Sequence, residues 1–390
     1  MKILHVVRGL TNSSGTTHII GPMAEEQARL GNDVSLYFVE KEKEEPVIPD
    51  RGLVTARAFP VTALKGHPGV SLPFARAINT AIQRFDVVHI HAIWNFPTFI
   101  TMRMANRAGI PYVVAPQGSL EPWALSNGSW QRQLYAKHIE RPLLNLAARL
   151  QALSETEASQ FRAFGLRVPA AIIPNAVQPH WLGIEKRDLA TELGLAPGTK
   201  TVLFLSRVHP KKGLDILLRA FVVYARERQD VALIVAGSDA GSGYGEVMRL
   251  LARDLGLAQR CRFLGEVSGE KKLSALAGAD AFALTSHSEG LPMAVIEAMA
   301  CGLPVVITPG CNLPEVESAD AGLIVKPDVE ATLQGLRALF ADPERMRVRG
   351  ENGRRLVRER FTWPKIAKQT VEVYREILGT AKQRPLGSAA

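Results

Sequence analysis

The strongest constraint on the fold of this chain is a repeated alternation of short β-branched runs with segments of helical periodicity. Several runs are apolar on both faces, as in parallel strands that helices cover on both sides. Strands that alternate with helices form right-handed βαβ units and predict doubly wound α/β sheets. The predicted strands are 2–7, 33–39, 86–92, 111–116, 149–154 and 170–177, followed by 201–208, 231–237, 260–267, 281–286, 304–309 and 322–327.

These runs form two sets of six. The length of 390 residues is too great for one ordinary core. We therefore expect two Rossmann-like domains, residues 1–175 and 176–362, with the boundary in the Pro- and Gly-bearing segment 174–200. The tail 363–380 is predicted to contain an amphipathic helix over 363–379 that follows the last strand of the second domain.

The net charge of +9 is unevenly distributed along the chain. Residues 51–150 hold eleven Lys or Arg and three acidic residues, a net charge of +8. This stretch is either an ordinary solvated surface or a face that meets anionic lipid or a phosphorylated acceptor. Nucleic acid is not expected, because no helix-turn-helix, zinc or RNA-recognition pattern accompanies the charge.

The cysteines and the apolar runs indicate a cytoplasmic protein. No run approaches the roughly 18 residues that span a bilayer, and the start "MKILHVVRGL" resembles a first strand more than a signal peptide. Cys261, Cys301 and Cys311 are odd in number and lack metal-ligand spacing, so we expect neither disulfides nor a bound metal.

The stretch "SHSEGLPMAVIEAMACGLPVVITPG" (286–310) contains two carboxylates, Glu289 and Glu297. Glu297 lies inside an apolar run, where an unpaired carboxylate costs several kcal/mol, and no nearby residue in the sequence offers it a cation. A carboxylate there suits a ribose diol, and Glu289 suits hydroxyls of a second sugar. The alternative is a buried Glu297 paired with a distant Arg and an exposed Glu289.

Ligands of doubly wound sheets bind beyond the carboxyl ends of strands, at helix N-termini. Pro292 suits the first position of a helix, so the preceding and following N–H groups can face a phosphate. The donor-binding backbone is expected to be that of Gly290, Leu291, Met293 and Ala294.

Phosphates also need cations, and the segment "SRVHPKKG" (206–213) supplies them after a predicted strand. Arg207 and Lys212 can hold a diphosphate without a metal. The alternative is a basic loop in water. The glycine-rich loop 237–245 lacks the G-x-G-x-x-G spacing and favours a surface loop over a dinucleotide site.

These motifs, together with "PNAV" (174–177), resemble the retaining glycosyltransferases of family 4, which have the GT-B fold: two Rossmann-like domains facing a cleft. The resemblance spans nearly the whole chain and is most specific in "SEGLPMAVIEAMACGLPVV". It implies that Glu297 binds the donor ribose, Glu289 the transferred sugar, and Arg207 with Lys212 the diphosphate. It also implies that the tail helix crosses back to the first domain and that no metal is needed, in agreement with the missing Asp-x-Asp pair.

The resemblance extends to the first domain with two departures. The family's Gly-Gly loop is "NSSGTTH" here, so Ser14 and Gly15 are expected near the diphosphate, and Gln117 stands where many relatives have His. Gln can hydrogen-bond but carries no charge, so we expect it to position the donor sugar and acceptor; the alternatives are an altered specificity or a reduced activity. Further donor-binding candidates are Gly265 and Val267. The acceptor-side candidates are His91 and Trp94, which are expected at the C-terminal end of a strand and facing the cleft; the alternative for His91 is a structural histidine.

The resemblance implies a hexosyltransferase of polysaccharide biosynthesis, cytoplasmic and associated with the inner face of the cell membrane. Its donor would be a UDP- or GDP-linked sugar, its acceptor a saccharide or lipid-linked saccharide, and it would use no cofactor. Basic residues near 130–141, with Trp130 and Tyr135, could contact an anionic bilayer. A nucleotide-sugar 2-epimerase, a phosphorylase or a non-catalytic nucleotide-sugar binding protein are the alternatives.

Overall fold

A computed structural model describes residues 1–10, 17–40, 46–62, 69–122, 125 and 134–382. The chain divides into two compact units, an N-terminal unit of Met1–Asn175 with Trp363–Ala390 and a C-terminal unit of Ala176–Thr362. Each unit is built on one parallel sheet with helical connections. The expected pair of Rossmann-like α/β domains is therefore confirmed.

The sheet of the N-terminal unit has the order β3-β2-β1-β4-β5-β6-β7. Its strands are β1 (Lys2–Val7), β2 (Asp33–Val39), β3 (Val54–Phe59), β4 (Val87–His91), β5 (Tyr112–Ala115), β6 (Arg149–Ala152) and β7 (Ala170–Ile172). Its helices up to residue 175 are α1 (Thr17–Arg29), α2 (Leu72–Ala81), α3 (Phe96–Ala108), α4 (Arg141–Leu144, after a π-helical turn) and α5 (Glu155–Ala163).

The sheet of the C-terminal unit has the order β10-β9-β8-β11-β12-β13. Its strands are β8 (Lys200–Leu205), β9 (Val231–Ala236), β10 (Cys261–Gly265), β11 (Ala281–Leu284), β12 (Val305–Ile307) and β13 (Gly322–Ile324). Its helices are α6 (Leu189–Glu192), α7 (Leu214–Glu227), α8 (Tyr244–Asp254), α9 (Gly269–Gly278), α10 (Met293–Ala300), α11 (Glu315–Ser318), α12 (Val329–Phe340) and α13 (Pro343–Arg360).

The sequence analysis missed one strand, β3, so the prediction of six strands in the first half was wrong. This strand lies at the edge of its sheet and pairs only with β2. Its sequence, VTARAF, is half-exposed and includes Arg57, whose guanidinium lies over the Tyr37 ring. An edge strand of this composition lacks the continuous apolar run by which the other strands were recognised.

The predicted tail helix is present as α14 (Trp363–Lys382), and it packs against α1 in the N-terminal unit. Tyr374 and Ile377 of this helix are buried in the same core cluster as Ile3 and Val113 of the sheet. The N-terminal unit is thus made of two segments that are separated in sequence by the entire C-terminal unit. None of the described helices combines the length and apolar character needed to cross a lipid bilayer.

Helix α13 approaches the rest of its unit closely at one glycine. A Cβ on Gly350 would lie 2.1 Å from the Gly302 carbonyl oxygen, whereas a Cβ on the helical Gly379 of α14 would meet nothing within 4 Å. We predict that Gly350→Ala lowers the thermal unfolding midpoint by several degrees, because the two backbones must separate. Gly379→Ala is the matched control and should be neutral or stabilising by up to about 1 kcal/mol. Equal midpoints for the two variants would contradict the packing described here.

Candidate functional site

Sequence-predicted site residues of the C-terminal unit converge at the carboxyl ends of β8 and β11. These strands are neighbours, and strand order runs outward from them in opposite directions. A sheet of this kind opens a crevice where the strand order reverses, which is where ligands bind. Arg207 and Lys212 follow β8, whereas Glu289 and the helix α10 follow β11.

Lys212 and Glu289 form an ion pair at this point of the sheet. The Lys212 Nζ lies 2.5 Å from Glu289 Oε1 and 2.6 Å from Oε2, and both side chains are only 9% exposed. A buried pair needs such close, two-oxygen contact to offset the loss of hydration. The pair therefore fixes an ammonium and a carboxylate side by side in the loops that follow adjacent strands.

Backbone contacts hold the same two loops together. The Thr285 hydroxyl donates to the Gly213 carbonyl at 2.7 Å, and the His287 N–H donates to the Lys211 carbonyl at 2.8 Å. Gly213 has φ +64°, and a Cβ there would lie 2.2 Å from the Thr285 carbonyl oxygen. Only glycine fits this position, because a side chain would both strain the backbone and separate the loops.

Arg207, unlike Lys212, is exposed, and it makes no ion pair with any residue that the structure describes. Its neighbour Ser206 is approached closely by Gly237, where a Cβ would lie 1.8 Å from the Ser206 carbonyl oxygen. Gly237 in turn donates its N–H to the Gly265 carbonyl at 2.6 Å, at the end of β10. Val267 follows two residues later and is half-buried. The carboxyl ends of β8, β9 and β10 thus form one edge of the sheet. Arg207 lies at this edge as a cation without an acidic partner among the described residues.

Glu297 is buried, with 8% of its surface exposed, but its environment differs from the expectation. Lys272 of α9 places its Nζ 2.7 Å from Glu297 Oε1, so the expectation that this carboxylate lacks a protein cation was wrong. The ammonium of Lys272 also lies 5.5 Å from the centre of the Trp181 ring. Lys272 is 29% exposed, and a partly hydrated lysine can leave its partner at lower cost than a buried one.

Helix α10 begins between Glu289 and Glu297 in the sequence. Pro292 is the N-cap of this helix with φ −77° and ψ 102°, not its first helical residue as expected. Gly290, Met293 and Ala294 are half-buried and Leu291 is 9% exposed. The first N–H groups of a helix lack intrahelical acceptors, so an anion at this end would gain hydrogen bonds and a favourable dipole.

Gln117 of the N-terminal unit follows β5 and has φ +57°, a left-handed conformation that costs free energy for a residue other than glycine. Its Oε1 accepts a hydrogen bond from Asn175 Nδ2 at 3.2 Å, while its buried Nε2 has no partner among the described residues. Glu157 Oε1 accepts from the adjacent Gly118 N–H at 2.6 Å. Burial raises the pKa of the Glu157 carboxyl to about 7. The Gln117 amide is therefore held in place with a donor still available.

The two acceptor-side candidates differ in their exposure. Trp94 is half-buried after β4 with φ +67°, and Ala92 in the same loop has φ +63°. Trp94 donates its indole N–H to the Ser119 carbonyl at 3.3 Å, and its backbone N–H to the buried Glu140 at 3.4 Å. His91, by contrast, is completely buried at the end of β4, so the expectation that it faces an opening was wrong. Ser14, Gly15 and Trp130 lie outside the described residues.

Four residues of these two sites were not recognised from the sequence: Lys272, Trp181, Glu140 and Glu157. Glu140 is fully buried, and burial raises the pKa of its carboxyl. Glu297 was recognised because it lies in an apolar run, whereas Glu140 and Glu157 lie in the polar stretches "AKHIERP" and "SETEASQ", which gave no signal of burial. Lys272 gave no signal, because it lies in an ordinary charged stretch at the start of α9.

Comparisons with known proteins identify the family of this chain. Residues 14–176 match the family described as glycosyl transferase 4-like domain, and residues 185–356 match glycosyl transferases group 1. The D-inositol 3-phosphate glycosyltransferase of Mycolicibacterium gilvum is 34% identical over 346 residues, which cover 82% of this chain and 75% of that protein.

Two further similarities concern nucleotide-dependent proteins. The GDP-mannose-dependent monoacylated alpha-(1-6)-phosphatidylinositol monomannoside mannosyltransferase of Corynebacterium glutamicum is 32% identical over 46% of this chain and 48% of that protein. The HepE protein of Anabaena, solved in complex with UDP, superimposes with a TM-score of 0.77 at 20% identity, covering 96% of this chain and all of that one. This last likeness concerns the fold.

The buried Lys212–Glu289 pair generates a test by double-mutant cycle. Lys212→Met alone should cost about 3–5 kcal/mol, because it leaves an uncompensated buried carboxylate, and the double variant with Glu289→Gln should recover most of this loss. Thermal unfolding midpoints of the two single variants and the double variant measure the coupling. Lys200→Met, which breaks the exposed 3.3 Å pair with Asp280, is the control and should cost less than about 1 kcal/mol. Additive midpoint shifts at Lys212 and Glu289 would show that the pair is not coupled.

Proposed function

Since this chain belongs to the glycosyl transferases of group 1, of the family 4 type with the GT-B fold, we propose that it transfers a hexose-type sugar with retention of configuration. The donor is a UDP- or GDP-linked sugar, and the acceptor is a saccharide or a lipid-linked saccharide of polysaccharide biosynthesis. The observation that carries the proposal is the exposed, unpaired Arg207 beside Lys212 at the switch point of the C-terminal sheet.

The cations at the switch point account for the chemistry without a metal. When the bond between the sugar and the diphosphate breaks, negative charge develops on the leaving phosphate. Arg207, Lys212 and the N-terminus of α10 stabilise that charge in a preorganised arrangement. In a front-face transfer the leaving diphosphate accepts the proton of the acceptor hydroxyl, so no protein nucleophile is required. The step replaces one glycosidic C–O bond by another and consumes no cofactor.

Glu289 has a second part in this scheme. Both of its oxygens contact Lys212, yet a carboxylate has four lone-pair sites and can accept further hydrogen bonds from sugar hydroxyls. The contact with both oxygens also holds the Lys212 ammonium in place beside the diphosphate. Glu289 therefore contacts Lys212, the cation that neutralises the leaving group. The same carboxylate also accepts hydrogen bonds from the hydroxyls of the transferred sugar.

Glu297 is the proposed partner of the donor ribose. The ribose diol must displace Lys272 from Glu297 or share the carboxylate through Oε2, which is not the oxygen that meets Lys272. Displacement is feasible because Lys272 is partly hydrated and can remain above the Trp181 ring by a cation–π contact. Gly265, at the end of the edge strand β10, and Val267, two residues later, are proposed to contact the donor as well.

In the N-terminal unit, Gln117 is proposed to position the donor sugar and the acceptor through its unpartnered Nε2. Trp94 offers an apolar ring for a saccharide face, and Ser14 with Gly15 remain proposed contacts of the diphosphate. A buried His91 is not part of this proposal. The names of the similar proteins, which concern inositol phosphate and phosphatidylinositol mannoside, support an acceptor with a phosphorylated or lipid-linked polyol.

The proposed activity is tested by incubating the protein with a panel of UDP- and GDP-sugars and saccharide acceptors, with product configuration read by NMR. We predict that Arg207→Ala lowers kcat at least about 100-fold, since a charged donor to the leaving group is lost, and that Glu297→Gln mainly raises KM for the donor. Arg219→Ala, an exposed arginine on α7, should leave both constants unchanged. Adding Mg²⁺ or Mn²⁺ should not change turnover.

Three outcomes would contradict the proposal: inversion of configuration, full activity of Arg207→Ala, or epimerisation of the donor in the absence of an acceptor. Donor binding by calorimetry without transfer to any acceptor of the panel would support a non-catalytic binding protein instead.

We also propose a cytoplasmic location with attachment to the anionic inner face of the cell membrane. The segment 134–146 exposes three large apolar side chains, Leu134, Ile139 and Leu146, near Lys137 and Arg141. Apolar side chains beside cations favour the headgroup region of anionic bilayers.

Liposome flotation tests this attachment. We predict that the protein floats with vesicles of phosphatidylglycerol and phosphatidylcholine, that binding falls at high salt, and that Ile139→Asp with Lys137→Glu abolishes it. The matched control, Val247→Asp with Arg249→Glu, alters an exposed apolar residue and a neighbouring cation of the C-terminal unit and should float normally. Absence of the wild-type protein from the floated fraction would exclude the attachment.

A further inference from the structure

Three histidines lie together inside the N-terminal unit, apart from the residues assigned to the reaction. His5 of β1 and His89 of β4 are direct partners in the register of these parallel strands, and His91 lies two residues further along β4 on the same face. All three side chains are completely buried. The His89 and His91 rings stack at 4.2 Å between centroids, and His5 lies 5.4 and 5.2 Å from them.

Hydrogen bonds within the protein satisfy this cluster incompletely. Among the described residues His91 Nδ1 has no hydrogen-bond partner, and His89 Nε2 meets Oε1 of Gln151, a buried residue of β6, only in a weak contact. Buried polar atoms without partners are rare in native proteins and call for a specific explanation, such as an ion.

The surrounding residues already orient two of the rings as metal ligands are oriented. His5 Nε2 donates to Gln27 Oε1 of α1 at 2.7 Å, and His89 Nδ1 lies 2.5 Å from the Tyr374 hydroxyl of α14. Such contacts fix the tautomer of a ligating histidine and leave its other nitrogen to the metal. The nitrogens that remain are His5 Nδ1 and His89 Nε2.

The third ring, that of His91, approaches the other two through its Nε2, which lies 2.8 Å from His5 Nδ1. One nitrogen from each of the three rings lies within 4.8 Å of the others. In a tetrahedral zinc site with bonds of 2.0–2.1 Å the ligand nitrogens are about 3.4 Å apart. Small ring rotations therefore convert the cluster into a coordination sphere.

We propose that His5, His89 and His91 bind one divalent transition-metal ion of the zinc class, with Gln151 Oε1, beside His89, as a candidate oxygen donor for a fourth position. Three imidazoles without a thiolate or carboxylate favour Zn²⁺, Ni²⁺ or Cu²⁺ over Mg²⁺ or Ca²⁺. The role is structural. Through Gln27 and Tyr374 the ion would connect β1 and β4 to the helices α1 and α14, and so secure the C-terminal helix to its unit.

The test uses the full chain refolded from denaturant in a chelator and then in the presence of Zn²⁺ or Co²⁺, because the cluster is completely buried. After gel filtration we expect one bound metal per chain by elemental analysis, visible absorption bands of tetrahedral Co²⁺, and a thermal midpoint raised by about 5 °C or more. His89→Gln and His91→Asn, prepared separately, should lose the metal and the increase in midpoint. His138→Asn, an exposed histidine of the same unit, should keep both.

Two results would overturn the proposal: less than about 0.1 metal per wild-type chain, or retention of one metal in both His89→Gln and His91→Asn. A wild-type midpoint that is the same with and without metal would also do so, and would indicate a metal-free hydrogen-bonded cluster. None of these measurements depends on transferase activity, so the outcome is independent of the proposed function.

Discussion

The buried ion pair between Lys212 and Glu289 is the interaction on which the candidate site depends. It joins the loops that follow β8 and β11, the two strands at which the order of the C-terminal sheet reverses. Because the pair is nearly neutral as a unit, it can be buried without repelling a negatively charged ligand, while Arg207 remains outside it as an uncompensated cation. The backbone contact between Gly213 and Thr285 keeps the distance between the loops fixed.

The fold was predictable where the strands are buried on both faces, because a continuous apolar run then has a single interpretation. All the strands of the C-terminal sheet were identified, with ends that differ by a few residues. The strand β3 was not, since the exposed Thr55 and Arg57 interrupt its apolar residues. The chain ranges of the two units follow from contacts between distant segments, which no local pattern contains.

The candidate site was predictable only in part, again because contacts between distant segments of the chain decide how its residues pair. Residue types and spacing identified Arg207, Lys212, Glu289 and Glu297 as a group, but not which of them are paired with one another. The sequence separates Lys272 from Glu297 by a strand and a loop, so the cation appears only when α9 and α10 pack side by side. The left-handed backbone at Gln117 and the burial of His91 also arise from tertiary packing. Neither can be predicted from the residue type.

The return of α14 to the first unit makes the C-terminal unit an insertion between Asn175 and Trp363. During synthesis on the ribosome, the inserted unit emerges complete while its host still lacks the helix that carries Tyr374 and Ile377. The core that these side chains close stays open to water until this helix has left the exit tunnel. A nascent chain stalled just before this helix would therefore present an intact second sheet beside an unfinished first one, and chaperones would meet it in that form.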